Sequence, residues 1–270
     1  MTLATTDLEQ LGVVAAQILT ECEPEFLAGL GAAEEVTKGI GDYATAVDLA
    51  LERRIGAALL ARTGIGVHGE EFGGADLATG TVWVLDPVDG TANFSQRIPL
   101  TGTNLALLID GVPQLGLTWL PLLDERYIAV RSGPVRRNGV ALPPLAPAPM
   151  SQTVVAFGHV GLAGGRYPTG YRMALFHAVS ARAMRVRIMG TSALEFAWVA
   201  AGVFAAAVSF GNKAWDTAPG DCLVRAAGGS VTDLAGLPHH LGSPSMVAAR
   251  PGVAEEMLEI LAAVGDPANY

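Results

Sequence analysis

Cysteine and histidine are scarce in this sequence. Its 270 residues include two cysteines, Cys22 and Cys222, and five histidines. Two cysteines cannot form a disulfide framework, and their scarcity suits a reducing compartment, so we expect a cytoplasmic protein. No group of His and Cys residues has the spacing of zinc ligands, which disfavours a zinc site. His239 and His240 fall in a predicted loop without a third ligand nearby, so both are expected at the surface.

Positive charge and long apolar runs are also limited. The sequence has 17 basic against 26 acidic residues, a net charge of -9, which disfavours nucleic acid and anionic membranes as partners. A bound metal ion would still allow a phosphorylated substrate, because it reverses the local charge. The longest apolar stretch, residues 196–210, is shorter than the roughly 18 residues that a membrane span needs. The N-terminal residues lack the basic and apolar blocks of a secretory signal.

Apolar residues are abundant, and their periodicity predicts both helices and strands. Hydrophobic residues make up 50% of the chain, which permits a sizeable core. Helices are predicted near residues 7–22, 45–62, 171–181, 192–201, 217–227 and 253–264. Strands are predicted near residues 82–85, 104–109, 114–119, 126–130, 153–157, 185–189, 204–209 and 246–249. This mixture favours an α/β or α+β protein with layered sheets.

A proline-rich segment divides the chain. Residues 141–151 contain four prolines, which is typical of a connector between two halves. We therefore predict an N-terminal α+β half, residues 1–145, and a C-terminal α/β half, residues 146–270. The two halves are expected to form one integrated catalytic unit.

Residues 82–93, VWVLDPVDGTAN, carry the most informative pattern. An apolar strand ends at Asp86, a proline turns the chain, and Asp89 follows. Two carboxylates this close can share divalent cations, and backbone N–H groups at a helix start near Thr91 can hold a phosphate. Gly90 permits unusual backbone angles between them. By composition alone, however, the segment is equally typical of an ordinary turn.

The arrangement of this segment resembles the central motif of the inositol monophosphatase family, D-P-[ILV]-D-G-T-x-N-[FY], which residues 86–94 match at every position. Weaker family motifs occur in the same order: TxxD at residues 45–48, GEE at 69–71, a substrate loop at 190–192, and WD at 215–216 followed by GG at 228–229. Each weaker motif alone is ambiguous, since an acid before a helix usually caps it and paired glutamates are usually solvated. Their joint occurrence makes the resemblance specific over residues 7–264.

The resemblance implies both a fold and an activity. The fold is a layered α-β-α-β-α sandwich of the inositol monophosphatase and fructose-1,6-bisphosphatase type, with the active site between the two halves. The activity is Mg²⁺-dependent hydrolysis of a small phosphorylated metabolite, first of all inositol 1-phosphate. The resemblance also implies two or three Mg²⁺ ions, lithium sensitivity and a homodimer.

The resemblance assigns roles to individual residues. The implied metal ligands are Glu70, Asp86, the carbonyl oxygen of Val88, Asp89 and Asp216. The implied catalytic residues are Asp48, Thr91 and Glu71. Thr91 would accept a proton from the attacking water through its hydrogen bond to Asp48, and Glu71 would support that water. The implied substrate contacts are Asp89, Gly90, Thr91, Gly190, Thr191, Ser209 and Lys213.

Three positions near the implied substrate depart from the family pattern. Ser209 replaces a common glutamate, Ala205 a frequent aspartate, and Lys213 a frequent histidine. A short hydroxyl cannot replace a charged acceptor at equal reach, so the preference for inositol is weakened. Lys213 either favours a second anionic group or is a solvated loop lysine. Histidinol phosphate, fructose 1,6-bisphosphate and a 3′-phosphorylated adenine nucleotide stay open as substrates, as does a non-catalytic phosphate- or metal-binding role.

Overall fold

A computed structural model describes residues 4–39, 42–161 and 165–270. The helices are α1 (Thr5–Ala28), α2 (Ala46–Thr63), α3 (Thr91–Ser95), α4 (Thr169–Arg182), α5 (Ser192–Ala200), α6 (Ala214–Ala226) and α7 (Val253–Val264). The strands are β1 (Glu34–Gly39), β2 (Asp42–Thr45), β3 (Gly66–Gly69), β4 (Gly73–Gly74), β5 (Thr81–Asp89), β6 (Gly102–Ile109), β7 (Val112–Leu120), β8 (Glu125–Val130), β9 (Arg136–Arg137), β10 (Val140–Ala141), β11 (Val154–Phe157), β12 (Arg185–Arg187), β13 (Ala206–Ser209), β14 (Ser230–Thr232) and β15 (Met246–Ala249). Among these residues, no helix combines the length and the apolar character needed to cross a membrane.

Two large sheets form the framework. The first has eight strands in the order β10-β9-β8-β7-β6-β5-β3-β4, antiparallel except where β3 runs parallel to β5. The second has five strands in the order β12-β11-β13-β15-β14, with β11 parallel to both of its neighbours. Strands β1 and β2 form a separate hairpin.

Helices cover the sheets in three layers. Helices α1 and α2 pack on one face of the first sheet, around the buried side chains of Ile18, Leu51 and Trp83. Helices α5 and α6 lie between the two sheets, and α4 and α7 cover the outer face of the second sheet. Burying an apolar stripe of each helix against a sheet is what stabilises such layers. The predicted α-β-α-β-α sandwich is therefore confirmed.

Strand β5 differs from its prediction, because it continues through Pro87 to Asp89. Its pairing with β6 has an irregularity there: Asp86 lies opposite Asn104, whereas Asp89 lies opposite Gly102. Three steps along β5 match two along β6, which makes this a β-bulge. A bulge tolerates proline because the missing N–H is not needed for the ladder. The predicted turn is thus a bulge within a strand.

Candidate active site

The bulge in β5 determines where two acidic side chains point. Side chains alternate along a strand, and Val84 contacts the apolar cluster beside α6, so Asp86 lies on that same side. Val88 belongs instead to the cluster under α1 and α2. The extra residue therefore reverses the alternation, and Asp89 shares the α6 side with Asp86.

Three carboxylates meet on this side of the sheet. Asp216, in the first turn of α6, joins Asp86 and Asp89, and one oxygen from each lies within 4.8 Å of the others. Asp86 is 2% exposed and Asp89 is 4% exposed. Burial, followed by the charges of Glu70 and the other nearby acids, raises the pKa of Asp86 well above its ordinary value, and burial also raises the pKa of Asp89. Like charges brought together out of water in this way are suited to hold a cation.

Several hydrogen bonds fix the position of Asp89. Its Oδ2 atom accepts from Asn104 Nδ2 at 3.0 Å and from the Ala193 N–H at 2.9 Å. The Ser192 hydroxyl also donates to Oδ2. Asn104 was not predicted as a site residue, although an amide at a buried position of an apolar strand could have indicated it.

The predicted pair of Thr91 and Asp48 is brought into contact. Thr91 Oγ1 lies 3.2 Å from Asp48 Oδ1 and 3.1 Å from the carbonyl oxygen of Val88. The other oxygen of Asp48 accepts from the Thr45 N–H at 3.0 Å and from the Thr45 hydroxyl, which forms a capping box at the start of α2. Burial raises the pKa of Asp48, and the bonds from Thr45 partly oppose this rise.

A lysine that the sequence analysis did not identify reaches the GEE segment. Lys38, on β1, has its Nζ atom 2.8 Å from Glu70 Oε1 and 2.6 Å from Glu71 Oε1. The side chain of Glu71 is only 4% exposed. Glu71 is therefore held by an ammonium group of the β1–β2 hairpin.

Glu52 of α2 also fixes the backbone of this segment. The Glu52 carboxylate accepts the backbone N–H groups of Glu71 at 2.8 Å and Phe72 at 2.9 Å. A Cβ atom at Gly69 would lie 2.0 Å from Glu52 Oε1. Glycine at this position thus leaves the space that the carboxylate occupies.

The loop that precedes α5 approaches the site at a second glycine. Gly90 has φ +82°, and a Cβ atom there would lie 3.1 Å from Thr191 Cβ and 3.2 Å from the carbonyl oxygen of Leu100. Asn93 Nδ2 donates to the carbonyl oxygens of Leu100 at 2.7 Å and Met189 at 2.8 Å. These contacts hold the start of α3 against the loop that precedes α5.

A cavity of about 410 Å³ opens over these groups. It is lined by Tyr43, Glu70, Asp86, Val88, Asp89, Gly90, Thr91, Ala92, Gly190, Thr191, Ser192 and Asp216. Two other cavities are larger, about 570 and 650 Å³, but the described residues place no cluster of carboxylates in the lining of either. The chemistry of the lining, and not the size, identifies the candidate site.

Ser209 and Lys213, which the resemblance implied as substrate contacts, lie outside this lining. The Ser209 hydroxyl donates to the carbonyl oxygen of Gly211 at 3.0 Å. The Lys213 ammonium lies 5.5 Å from the centre of the Trp215 ring and lines the separate cavity of about 650 Å³. Ala205 is buried in the core beside the second sheet. Alignment along the chain could not show that Ser209, at the end of β13, is not among the residues that line the cavity.

Comparison with known proteins gives concordant results. A statistical description of the inositol monophosphatase family matches residues 3–265. The chain is 47% identical to the probable inositol 1-monophosphatase ImpA of Mycobacterium tuberculosis, over 95% of each chain. It is 45% identical to the inositol-1-monophosphatase ImpA of Mycolicibacterium smegmatis, over 97% of this chain and 96% of that protein. Among solved structures, the extragenic suppressor protein suhB of Bartonella henselae is 27% identical with a TM-score of 0.86, covering 93% of this chain and 98% of that one.

Proposed function

The chain belongs to the inositol monophosphatase family and is a phosphoric monoester hydrolase; on that premise we propose that it hydrolyses inositol 1-phosphate to inositol and phosphate in a Mg²⁺-dependent reaction. The observation that carries this proposal is the meeting of Asp86, Asp89 and Asp216 beside the Thr91–Asp48 pair. The names of the two ImpA relatives support inositol 1-phosphate as the substrate.

The donor atoms suit magnesium. They are carboxylate and carbonyl oxygens, which hard divalent cations prefer, and the described residues that line the cavity include no cysteine or histidine. We propose that Glu70, Asp86 and the Val88 carbonyl oxygen hold one ion, and that Asp86, Asp89 and Asp216 hold another, with a third, weaker site at Glu70. Bound Mg²⁺ would supply charge neutralisation for the phosphoryl group and a lowered pKa for water.

The Thr91–Asp48 pair is proposed to accept the proton of the attacking water. Thr91 Oγ1 has one proton, which it can donate to Asp48 Oδ1, and its lone pairs then accept from water. A carboxyl whose pKa is raised by burial is a better proton acceptor near neutral pH than an exposed aspartate. Glu71, held by Lys38, is proposed to support this water through its position beside Glu70.

The substrate is proposed to lie between the two halves of the chain, residues 1–145 and 146–270. Gly90 and Thr91 contribute backbone N–H groups for the phosphate, and Gly190 and Thr191 line the opposite side. Because Ser209 and Lys213 lie outside the lining, recognition of the inositol ring would depend on other groups. Tyr43 lines the same cavity, and its hydroxyl lies 2.5 Å from Ser95 Oγ.

A substrate panel tests the proposal. Phosphate release would be measured on inositol 1-phosphate, histidinol phosphate, fructose 1,6-bisphosphate and a 3′-phosphorylated adenine nucleotide, each with Mg²⁺ and with a chelator. We expect the highest kcat/KM for inositol 1-phosphate, and no release with the chelator. If another ester gave a higher kcat/KM, that ester would replace inositol 1-phosphate as the proposed substrate. No release from any ester would favour the non-catalytic alternative.

Three further properties are proposed on the basis of the family. They are a homodimer, measurable by light scattering; inhibition of phosphate release by Li⁺, measurable as a dose–response curve; and a cytoplasmic location, measurable by fractionation. A monomer in solution, activity unaffected by Li⁺, or recovery outside the cytoplasmic fraction would each contradict the corresponding property.

A further inference from the structure

His239 is buried, so its predicted surface position was wrong, whereas the neighbouring His240 is exposed. His239 Nδ1 lies 2.9 Å from Asp221 Oδ2, and His239 Nε2 lies 3.0 Å from Asn212 Oδ1. The imidazole therefore connects a carboxylate of α6 to a side chain in the loop that precedes α6.

The orientation of the Asn212 amide is fixed by its other contacts. Its Nδ2 atom faces three carbonyl oxygens, those of His240 at 3.2 Å, Leu241 at 3.0 Å and Ser243 at 2.7 Å. A reversed amide would place an oxygen against all three, so the oxygen must face His239. An amide oxygen can only accept, and the Nε2 atom of His239 must therefore donate to it.

The chain of contacts ends in the first turn of α6. Thr217 Oγ1 lies 2.6 Å from Asn212 Oδ1 and 2.9 Å from the Lys213 carbonyl oxygen. Thr217 is completely buried and directly follows Asp216. Ser192 Oγ also lies 3.0 Å from the Asp216 carbonyl oxygen, which places the start of α5 against this turn.

We propose that His239 is a positioning residue for the metal site: through Asn212 and Thr217 it fixes the first turn of α6, and thereby the Asp216 carboxylate relative to Asp86 and Asp89. The inference rests on the proposed function only in requiring that these carboxylates hold a divalent cation. Asn212, Thr217, Asp221 and His239 are not among the residues that line the cavity of about 410 Å³. Its expected effect is therefore on metal affinity, because side chains that orient a metal ligand typically change affinity by roughly 10- to 100-fold.

The test compares two variants in the full-length protein. His239→Ala removes the imidazole, and Thr217→Val removes only the hydroxyl with nearly the same shape. Mn²⁺, used as a spectroscopic probe for the site, would be titrated and the free ion followed by electron paramagnetic resonance. His177→Ala, an exposed histidine of α4, is the control for loss of an imidazole.

We expect the Mn²⁺ dissociation constant to rise about 10-fold or more in both variants and to stay unchanged in His177→Ala. The Mg²⁺ concentration for half-maximal phosphate release should rise in parallel, while kcat at saturating Mg²⁺ changes less than about threefold. If His239→Ala does not fold, Thr217→Val decides the question alone. Wild-type Mn²⁺ affinity in the folded variants would overturn the inference. Because Mn²⁺ binding needs no substrate, it decides the inference even if no ester is hydrolysed, a result that would instead overturn the proposed function.

Discussion

Two groups of charged side chains in this protein contain buried acids, but the acids have neighbours of opposite charge in the two groups. In the first, Asp86 and Asp89 lie beside further acids, and no Lys or Arg of the described residues forms an ion pair with either. In the second, Asp221 accepts from Arg131 at 3.0 Å, from Arg225 at 2.9 Å and from His239 at 2.9 Å.

The pKa values of Asp86 and Asp221 shift in opposite directions because the charges of their neighbours differ in sign. Burial raises the pKa of Asp86, and the neighbouring acids raise it further. Burial also acts to raise the pKa of Asp221, but hydrogen bonds from His239 and Arg225 outweigh it, so that pKa is lowered. The comparison indicates that the protein neutralises the Asp221 carboxylate with its own side chains. Asp86 and Asp89 have no ion pair with a Lys or Arg of the described residues, which suits them to the proposed cation site.

The largest expected effect is a loss of turnover when an acid of the first group is substituted. Asp89→Asn removes one charge from the proposed metal site while keeping the size of the side chain, so kcat should fall by about 10³-fold, or ~4 kcal/mol in the activation barrier. Phosphate release at saturating Mg²⁺ measures this. Asp110→Asn, in an exposed turn with φ +48° that asparagine tolerates, is the matched control and should keep wild-type turnover. Near-normal kcat in Asp89→Asn would remove this residue from the site.

The next effect is on stability in the second group. Asp221→Asn leaves two arginines and a histidine without their carboxylate, so the free energy of unfolding should fall by about 3 kcal/mol. Asp86→Asn, measured in chelator, should instead keep or raise stability because it relieves repulsion. Urea unfolding measures the change in the free energy of unfolding for each variant. A shift of the same sign and size in both would abolish the distinction between the groups.

A smaller effect is expected in the pH dependence of stability. A raised pKa means that the folded chain binds the Asp86 proton more tightly than the unfolded chain does. The associated stability is present at low pH and is lost as the pH rises from about 4 through the raised pKa. In chelator, Asp86→Asn should therefore become more stable relative to wild type as the pH rises through this range.

The lowered pKa of Asp221 gives the opposite sign. Its contribution is present above the ordinary aspartate pKa, about 4, and is lost as the pH falls below that value. Both variants and the wild type would be unfolded at pH values from 3 to 8. For Asp86→Asn and Asp221→Asn, the slope is the change with pH in the free energy of unfolding relative to wild type. Saturating Mg²⁺ should abolish the Asp86 slope and leave the Asp221 slope unchanged. Equal slopes with and without Mg²⁺ would contradict the comparison.

The smallest effect is expected at Lys213, which belongs to neither group. Its ammonium lies over the Trp215 ring and outside the cavity lining. Lys213→Ala should change kcat/KM for inositol 1-phosphate by less than about twofold, and stability by about 0.5 kcal/mol from the lost cation–π contact. A tenfold rise in KM would instead place this lysine at the substrate.

The sequence predicted those features that depend on neighbouring residues. Helix α7 and strand β15 have their predicted bounds, because apolar periodicity is a local signal. Helix α1 extends past its predicted end at Cys22, since Phe26 continues the buried face despite Pro24. The central motif also predicted the meeting of Asp86 with Asp89, although not the bulge that turns both to one side.

Features that depend on distant contacts could not be predicted. Asn104 contacts Asp89 only because β6 pairs with β5, and Lys38 reaches Glu70 only through the β1–β2 hairpin. His239 looked like a surface residue because its partner Asp221 lies 18 positions away along the chain. No local pattern distinguishes a histidine that will be covered by a helix from one that stays exposed.

The most direct test of this account is a crystal of the protein soaked with Mn²⁺ and measured for anomalous scattering. The account predicts anomalous peaks among Asp86, Asp89 and Asp216, at roughly 2.0–2.3 Å from their carboxylate oxygens. Asp221 should have no peak near it, because arginine and histidine already neutralise it. Carboxylates of Asp86, Asp89 and Asp216 that point apart, with no peak between them, would contradict the account.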